Sequence, residues 1–165
     1  MVDVIVNNAG IGMAAALPAL TEDDFDEVFA VNVRAPFFVV REGLERLRDG
    51  GRIVNVSSGA GRLAMPEAIA YGATKGRWTT SPSTWPRRWA LGHHRQRGGA
   101  GIIDTDVNAG WLRGNPVAEA DAAAQAVLGR VGRPDDVADV VAFLASHDAR
   151  WVTGRVIDAT GGVRL

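Results

Sequence analysis

Three side chains in this sequence could together move a proton to or from an oxygen: Ser58, Tyr71 and Lys75. Tyr71 is the only tyrosine and Lys75 the only lysine, in a chain with 18 lysines and arginines. Tyr71 follows Ser58 by thirteen residues and Lys75 follows Tyr71 by four. Residues i and i+4 share a helix face, so the phenol and the ammonium become neighbours if this stretch is helical. A neighbouring cation favours the phenolate and lowers its pKa from about 10. A serine hydroxyl at the end of an adjoining strand could then hold a carbonyl or alcohol oxygen against that phenol, an acid–base arrangement.

The elements that would position them flank the serine. Ile53–Val56 is a short apolar, β-branched run that predicts a buried strand ending at Ser57 and Ser58. Gly59 to Ala68 predicts a loop over the site, and Tyr71 and Lys75 fall in the helix after it. Upstream, Val2–Val6 predicts a strand that delivers a tight turn at Asn7–Gly12. Thr21-Glu-Asp-Asp predicts a capped helix start with acids in its first turn. Phe25, Val28, Phe29 and Asn32 then share one face. A polar Asn32 on that face needs partners. Pro36 is expected to kink or split the helix, which continues over Phe37 to Leu47 and stops at Asp49-Gly50-Gly51. Downstream, Asn115-Pro116 breaks the stretch from Asp106 to Gly129. Pro134 with Asp135 and Asp136 opens a helix whose core face is Val137, Val140, Val141 and Leu144. Val156-Ile157-Asp158 predicts a last strand.

These motifs, in this order, resemble the short-chain dehydrogenase/reductase family. Asn7-Asn8-Ala9-Gly10 matches its Asn-Asn-Ala-Gly, Asn32 its helix asparagine, and Ser58, Tyr71 and Lys75 its catalytic residues. The closing stretches GRVGRPDDVADVVAFLAS and VTGRVIDATGG resemble the family's tail. The resemblance implies an NAD- or NADP-dependent oxidoreductase that passes hydride between the cofactor and a carbonyl or secondary alcohol. Tyr71 would be the general acid–base and Lys75 would assist it and touch the nicotinamide ribose. Ser58 would orient the substrate oxygen, and Asn32 would hold a water relaying protons to Lys75. Asn8, Ala9 and Gly10 would meet the adenosine and ribose side of the cofactor, an asparagine of the same turn would tie strands together, and Gly101, Ile103 and Thr105 would meet the nicotinamide, Ile103 and Thr105 at its carboxamide. In the family the last strand and helix help build a homo-oligomer. For this chain a homo-oligomer is in doubt, a plain edge strand serving equally.

The implied fold is α/β, a partial Rossmann-like doubly wound parallel sheet in three layers. The family's opening Gly-x-x-x-Gly-x-Gly turn, which receives the pyrophosphate at a helix N-terminus, does not occur in these 165 residues. The chain reads as a single incomplete dinucleotide-binding domain that starts at the fourth strand and lacks the first three. The alternative function is therefore a catalytically inactive fragment that cannot bind cofactor.

One window departs from the pattern. Arg77 to Gly99 holds three tryptophans, two histidines, five arginines, two prolines and no acid. It has no apolar period, and Pro82 and Pro86 oppose a helix. The expectation is an irregular segment over 77–100 and a sheet of three strands with a gap. Back-translation with GC-rich codons gives a cause. One base added before Arg77 yields AVDDLTVNLAEALGP, an amphipathic helix. One base dropped from Gly92 yields GITVNAVAPG, a strand and a Pro-Gly turn, with the frame restored at Ile102. A frameshift accounts for both better than a basic nucleic-acid patch does.

Composition sets the remaining bounds. The net charge of −1 predicts no bulk attraction to nucleic acid or membrane. No apolar run approaches the ~20 residues of a span and no signal peptide opens the chain, so a cytoplasmic protein is expected. Cysteine is absent, which excludes thiol chemistry, and no metal site is expected. The expected partner is a small carbonyl or alcohol substrate.

Overall fold

Short apolar runs alternating with helical stretches build one parallel sheet with helices on both faces. The computed structural model describes residues 1–62, 65–76 and 94–163, and for 94–99 the backbone alone. Strands β1 (Val2–Asn7), β2 (Leu47–Ser58), β3 (His94–Ala100) and β4 (Arg155–Ala159) lie in the order β1-β2-β3-β4. Every neighbouring pair is parallel.

The register explains the layers. Ile5 pairs with Ile53 and Val6 with Val54. Successive strand residues point to opposite faces, so Ile53 and Val54 bury on opposite sides. On one side Ile53 packs with Ile5, Leu47 and Val40. Val40 belongs to helix α2 (Ala35–Gly43). On the other side Val54 packs with Leu144, Val140 and Val141 of helix α6 (Pro134–Ala145), and with Ile157 of β4. Ile53 and Val54 are both essentially fully buried. That is the pattern of an inner parallel strand, and it makes the unit three-layered.

Helix α1 (Glu22–Phe29) begins as its sequence requires. The Thr21 hydroxyl accepts from the Asp24 N–H at 3.1 Å, and the Asp24 carboxylate accepts from the Thr21 N–H at 3.2 Å. Such a cap stabilises by about 1 kcal/mol. The split expected at Pro36 is present: a π-helical turn over Ala30–Arg34 separates α1 from α2, with Pro36 in the first turn of α2. Asn115 caps α5 (Pro116–Ala124), so Asn115-Pro116 divides it from α4 (Asp106–Leu112).

Three expectations are corrected. The second helix stops at Gly43, short of Leu47, and Leu47 already belongs to β2. Gly43 lies so close to β1 that a Cβ there would stand 2.5 Å from the Ile5 Cδ1, while Leu47 joins the core under β1. Gly50, at φ +76°, turns the early part of β2 before regular pairing begins at Arg52. The last strand is longer than Val156–Asp158 by a residue at each end.

The third correction is larger. Among the described residues the sheet has four strands and no gap, because His94–Ala100 is a strand. Its register runs unbroken from Arg52↔His94 to Ser58↔Ala100 on one side and from Gln96↔Arg155 to Ala100↔Ala159 on the other. A backbone between two parallel edges satisfies its N–H and C=O groups on both sides, a gain that does not depend on side-chain type. A search for apolar periods misses such a strand, since its text, HRQRGGA, has none. The expected irregularity of 77–93 lies outside the described residues.

Candidate active site

Parallel strands deliver all their C-terminal ends to one edge of the sheet. Ser58 is the last residue of β2, and helix α3 (Ile69–Gly76) carries Tyr71 and Lys75 beside it. Ser57 faces the other way and its hydroxyl donates to the Lys75 carbonyl at 3.2 Å, which ties the end of α3 to the strand. Glycines allow the approach: a Cβ on Gly61 would stand 2.7 Å from the Gly76 nitrogen. Ser58 Oγ accepts from the Ala60 N–H at 3.2 Å, and the Ser58 and Tyr71 side chains line the same cleft, where the Ser58 hydroxyl favours the ionised form of the phenol. The structure thus brings the three predicted residues together, with Lys75 Nζ over the Tyr71 ring, 5.5 Å from its centroid.

The electrostatics reverse one expectation. Burial pushes the Tyr71 phenol above its ordinary value, and the Ser58 hydroxyl offsets this only in part. Burial likewise pushes the Lys75 ammonium below its ordinary value. The phenol is therefore not lowered by its neighbour in this chain. Desolvation opposes both charged forms, and the ammonium faces the ring. The neutral phenol is therefore the favoured form of Tyr71.

Asn32 is 2% exposed and lies in the π-helical turn. Its Oδ1 accepts from the Ile11 N–H at 2.9 Å, and its Nδ2 donates to the Ile11 carbonyl at 2.9 Å and to Thr74 Oγ1 at 3.1 Å. Thr74, fully buried, donates in turn to the Tyr71 carbonyl at 2.7 Å. One amide therefore braces the turn after β1 against the helix that carries Tyr71. A Cβ on Gly10 would lie 3.0 Å from Lys75 Nζ and 3.1 Å from Asn32 Oδ1, so a side chain there would press on both groups. Asn7 Nδ2 donates to Asn55 Oδ1 at 2.6 Å, so the strand-tying asparagine is Asn7.

These residues open onto a cleft of about 1320 Å³, lined by Asn8, Gly10, Ser58, Tyr71, Lys75, Gly101, Ile103 and Thr105 among others. Of the residues assigned to cofactor, only Ala9 is not among the lining: it sits exposed in the same turn. Gly101 is set against β4, where a Cβ would stand 2.8 Å from the Thr160 carbonyl oxygen. Ile103 is buried and bridges to Gly132. Among the described residues no His, Cys, Asp or Glu cluster could hold a metal, and no helix is long and apolar enough to cross a membrane.

A family model described as enoyl-(acyl carrier protein) reductase matches residues 1–164. A short-chain dehydrogenase/reductase, FrzI, of a Cladobotryum species is 36% identical over 98% of this chain and 65% of its own length. The chain belongs to the short-chain dehydrogenase/reductase family. An uncharacterized oxidoreductase of Methylorubrum extorquens is 38% identical over 98% of the chain and 66% of its own length. The tetrahydroxynaphthalene reductase of Pyricularia oryzae is 35% identical over 97% of the chain and 61% of its own length. Among solved structures, the angucycline C-6 ketoreductase LanV with bound NADP superposes with a TM-score of 0.87 at 38% identity, covering 98% of this chain and 62% of that one. The sheet is thus part of a Rossmann-like fold, and the chain spans about two thirds of the length of these relatives.

Sequence reasoning missed two members of this short-chain dehydrogenase/reductase site. Thr74 lies three residues after Tyr71, on the same side of the helix, and that spacing could have flagged it. Ser57 was seen only as a strand end, although strand alternation already sends its hydroxyl away from that of Ser58.

Proposed function

We propose that this chain carries the proton-handling half of an NAD(P)-dependent oxidoreductase that interconverts a carbonyl and a secondary alcohol. Ser58 and Tyr71 lining one cleft over buried Lys75, whose Nζ lies 5.5 Å from the Tyr71 ring centroid, carry this proposal. In reduction, the substrate oxygen accepts hydrogen bonds from Ser58 and Tyr71, and Tyr71 passes its proton to that oxygen as negative charge develops. Lys75 lies beneath the ring, its Nζ 5.5 Å from the centroid, beside the phenolate left behind. Asn32 holds the turn and the helix in register for this transfer and places the water that returns a proton toward Lys75.

NAD or NADP supplies or accepts the hydride when bound. The residues present fit its nicotinamide end: Gly10 and Gly101 leave backbone bare, where a side chain would press on Lys75 or Thr160, and Ile103 and Thr105 line the same cleft. At about 1320 Å³ the cleft exceeds the roughly 300–1,000 Å³ of a single-ligand pocket. That is consistent with two molecules meeting there.

With the chain joined to a relative's preceding strands, Tyr71→Phe should lower turnover of a carbonyl compound by at least 10²-fold, the lower end of what general acid–base catalysis supplies. Unchanged turnover would remove Tyr71 from the reaction. The second reading, a fragment that keeps these residues without holding the cofactor, is favoured by the absence of a Gly-x-x-x-Gly-x-Gly turn from the sequence. Calorimetry with NADH and NADPH separates the two. Weaker than millimolar binding to the 165-residue chain is expected, and submillimolar binding would mean that the chain has another phosphate site.

A further inference from the structure

Four large apolar side chains that the acid–base reaction does not use line the cleft with Ser58 and Tyr71. Met13 follows the β1 turn, Met65 stands in the loop after Ser58, and Val107 and Trp111 lie on α4. Val107 and Trp111 are four residues apart and share a helix face. Met65, Val107 and Trp111 are each more than two-fifths exposed, so this wall of the cleft leaves apolar surface open to water.

Trp111 is held in place. Its indole N–H donates to Asn108 Oδ1 at 3.2 Å, and Asn108 Nδ2 donates to the Ile103 carbonyl at 2.8 Å. The ring is therefore oriented from the turn after β3 rather than left to swing on the surface. A fixed indole offers a flat apolar face, and methionines adapt to irregular shapes and make favourable contacts with ring edges.

Charge in the lining is sparse. Among the described residues the cations lining the cleft are Arg62 and Lys75, and no carboxylate lines it. Arg62 is paired with Asp158. Lys75 is 7% exposed, beneath Tyr71 and against Gly10. Among the described residues, a carboxylate or phosphate on the substrate would meet only Arg62, already paired with Asp158, and Lys75, buried beneath Tyr71, so its desolvation would be poorly offset.

We infer, resting on the carbonyl–alcohol function above, that the substrate is an uncharged, flat, largely apolar ring ketone or its alcohol. Its ring lies against Trp111, Met13 and Met65 adjust to its edges, and its one oxygen is received by Ser58 and Tyr71. Asn108 is the positioning residue for this wall.

The test is binding, which needs no hydride transfer. The chain is labelled with ¹⁵N at tryptophan, and the Trp111 indole signal is identified by its loss in Trp111→Phe. It is then titrated with 1-tetralone, an uncharged bicyclic ketone, and with acetoacetate and dihydroxyacetone phosphate as charged ketones. A saturable shift of the Trp111 signal with 1-tetralone is expected, with both charged ketones at least tenfold weaker. Trp111→Ala should weaken 1-tetralone binding about tenfold, the scale of one aromatic contact. Asn108→Ala keeps the ring but loses its anchor, should weaken binding less, and carries the comparison if Trp111→Ala fails to fold. Equal or tighter binding of a charged ketone would overturn the inference. So would 1-tetralone binding that ignores both substitutions, or no response of the Trp111 signal to any ketone. Retained turnover in Tyr71→Phe with 1-tetralone still preferred would instead overturn only the acid–base function.

Discussion

At the scale of the residue, the chemistry depends on how few groups occupy the site and how completely they are braced. Tyr71 and Lys75 were legible from spacing alone, because i and i+4 on a helix leave little freedom. Their titration was not legible. Proximity of an ammonium predicts a lowered phenol, whereas the structure buries both groups and raises it. Burial depends on contacts distant in sequence, so no local spacing reveals it. Asn32 shows the same division. Its polarity on an apolar face announced a buried amide with partners, but not that those partners are Ile11 and Thr74. Asn32→Ala would leave buried Thr74 and the half-buried Ile11 N–H and carbonyl without that amide. Unfolding in urea should show a loss of about 1–3 kcal/mol, the cost of stranding such groups. A loss under a few tenths of a kcal/mol would mean that the brace is not a stabilising element.

At the scale of the element, most helix starts were readable because capping is local: Thr21 with Asp24, Asn115, and Pro134 followed by two acids each lie where a helix begins. Helix ends and the full length of β2 were not, since Gly43 and Leu47 are placed by packing on Ile5. Strand β3 is the informative failure. An inner parallel strand reads as an apolar run in this architecture, yet its text is HRQRGGA. The backbone pairs with β2 from His94 to Ala100 and with β4 from Gln96 to Ala100, so the fold places an inner strand on text that has no apolar run. The frame-corrected text, GITVNAVAPG, suits such a strand. Resequencing the gene across codons 76 to 101 is therefore expected to show single-base errors that restore that text. Confirmation of every base, with matching transcripts, would make the basic stretch genuine and leave β3 as an unusually polar inner strand.

At the scale of the whole molecule, four parallel strands and helices on both faces do one thing for function: they bring Ser58 from a strand end and Tyr71 from the next helix to a single point. Family, layer order and cleft were all foreseeable from motif order. The number of strands was not, because it turned on a segment whose composition hides its place. That meeting of two hydroxyls is the central claim, and it can be tested on the chain as it stands. Tyr71 is the only tyrosine, so ultraviolet absorbance of the phenolate reads this one group during a pH titration. Burial should put the midpoint above the ordinary ~10 of an exposed tyrosine. Ser58→Ala should move it further up, because the Ser58 hydroxyl favours the ionised form. The contradictory result is a midpoint at or below about 10 that Ser58→Ala leaves where it was, since the phenol would then be exposed and the two hydroxyls would not share a site.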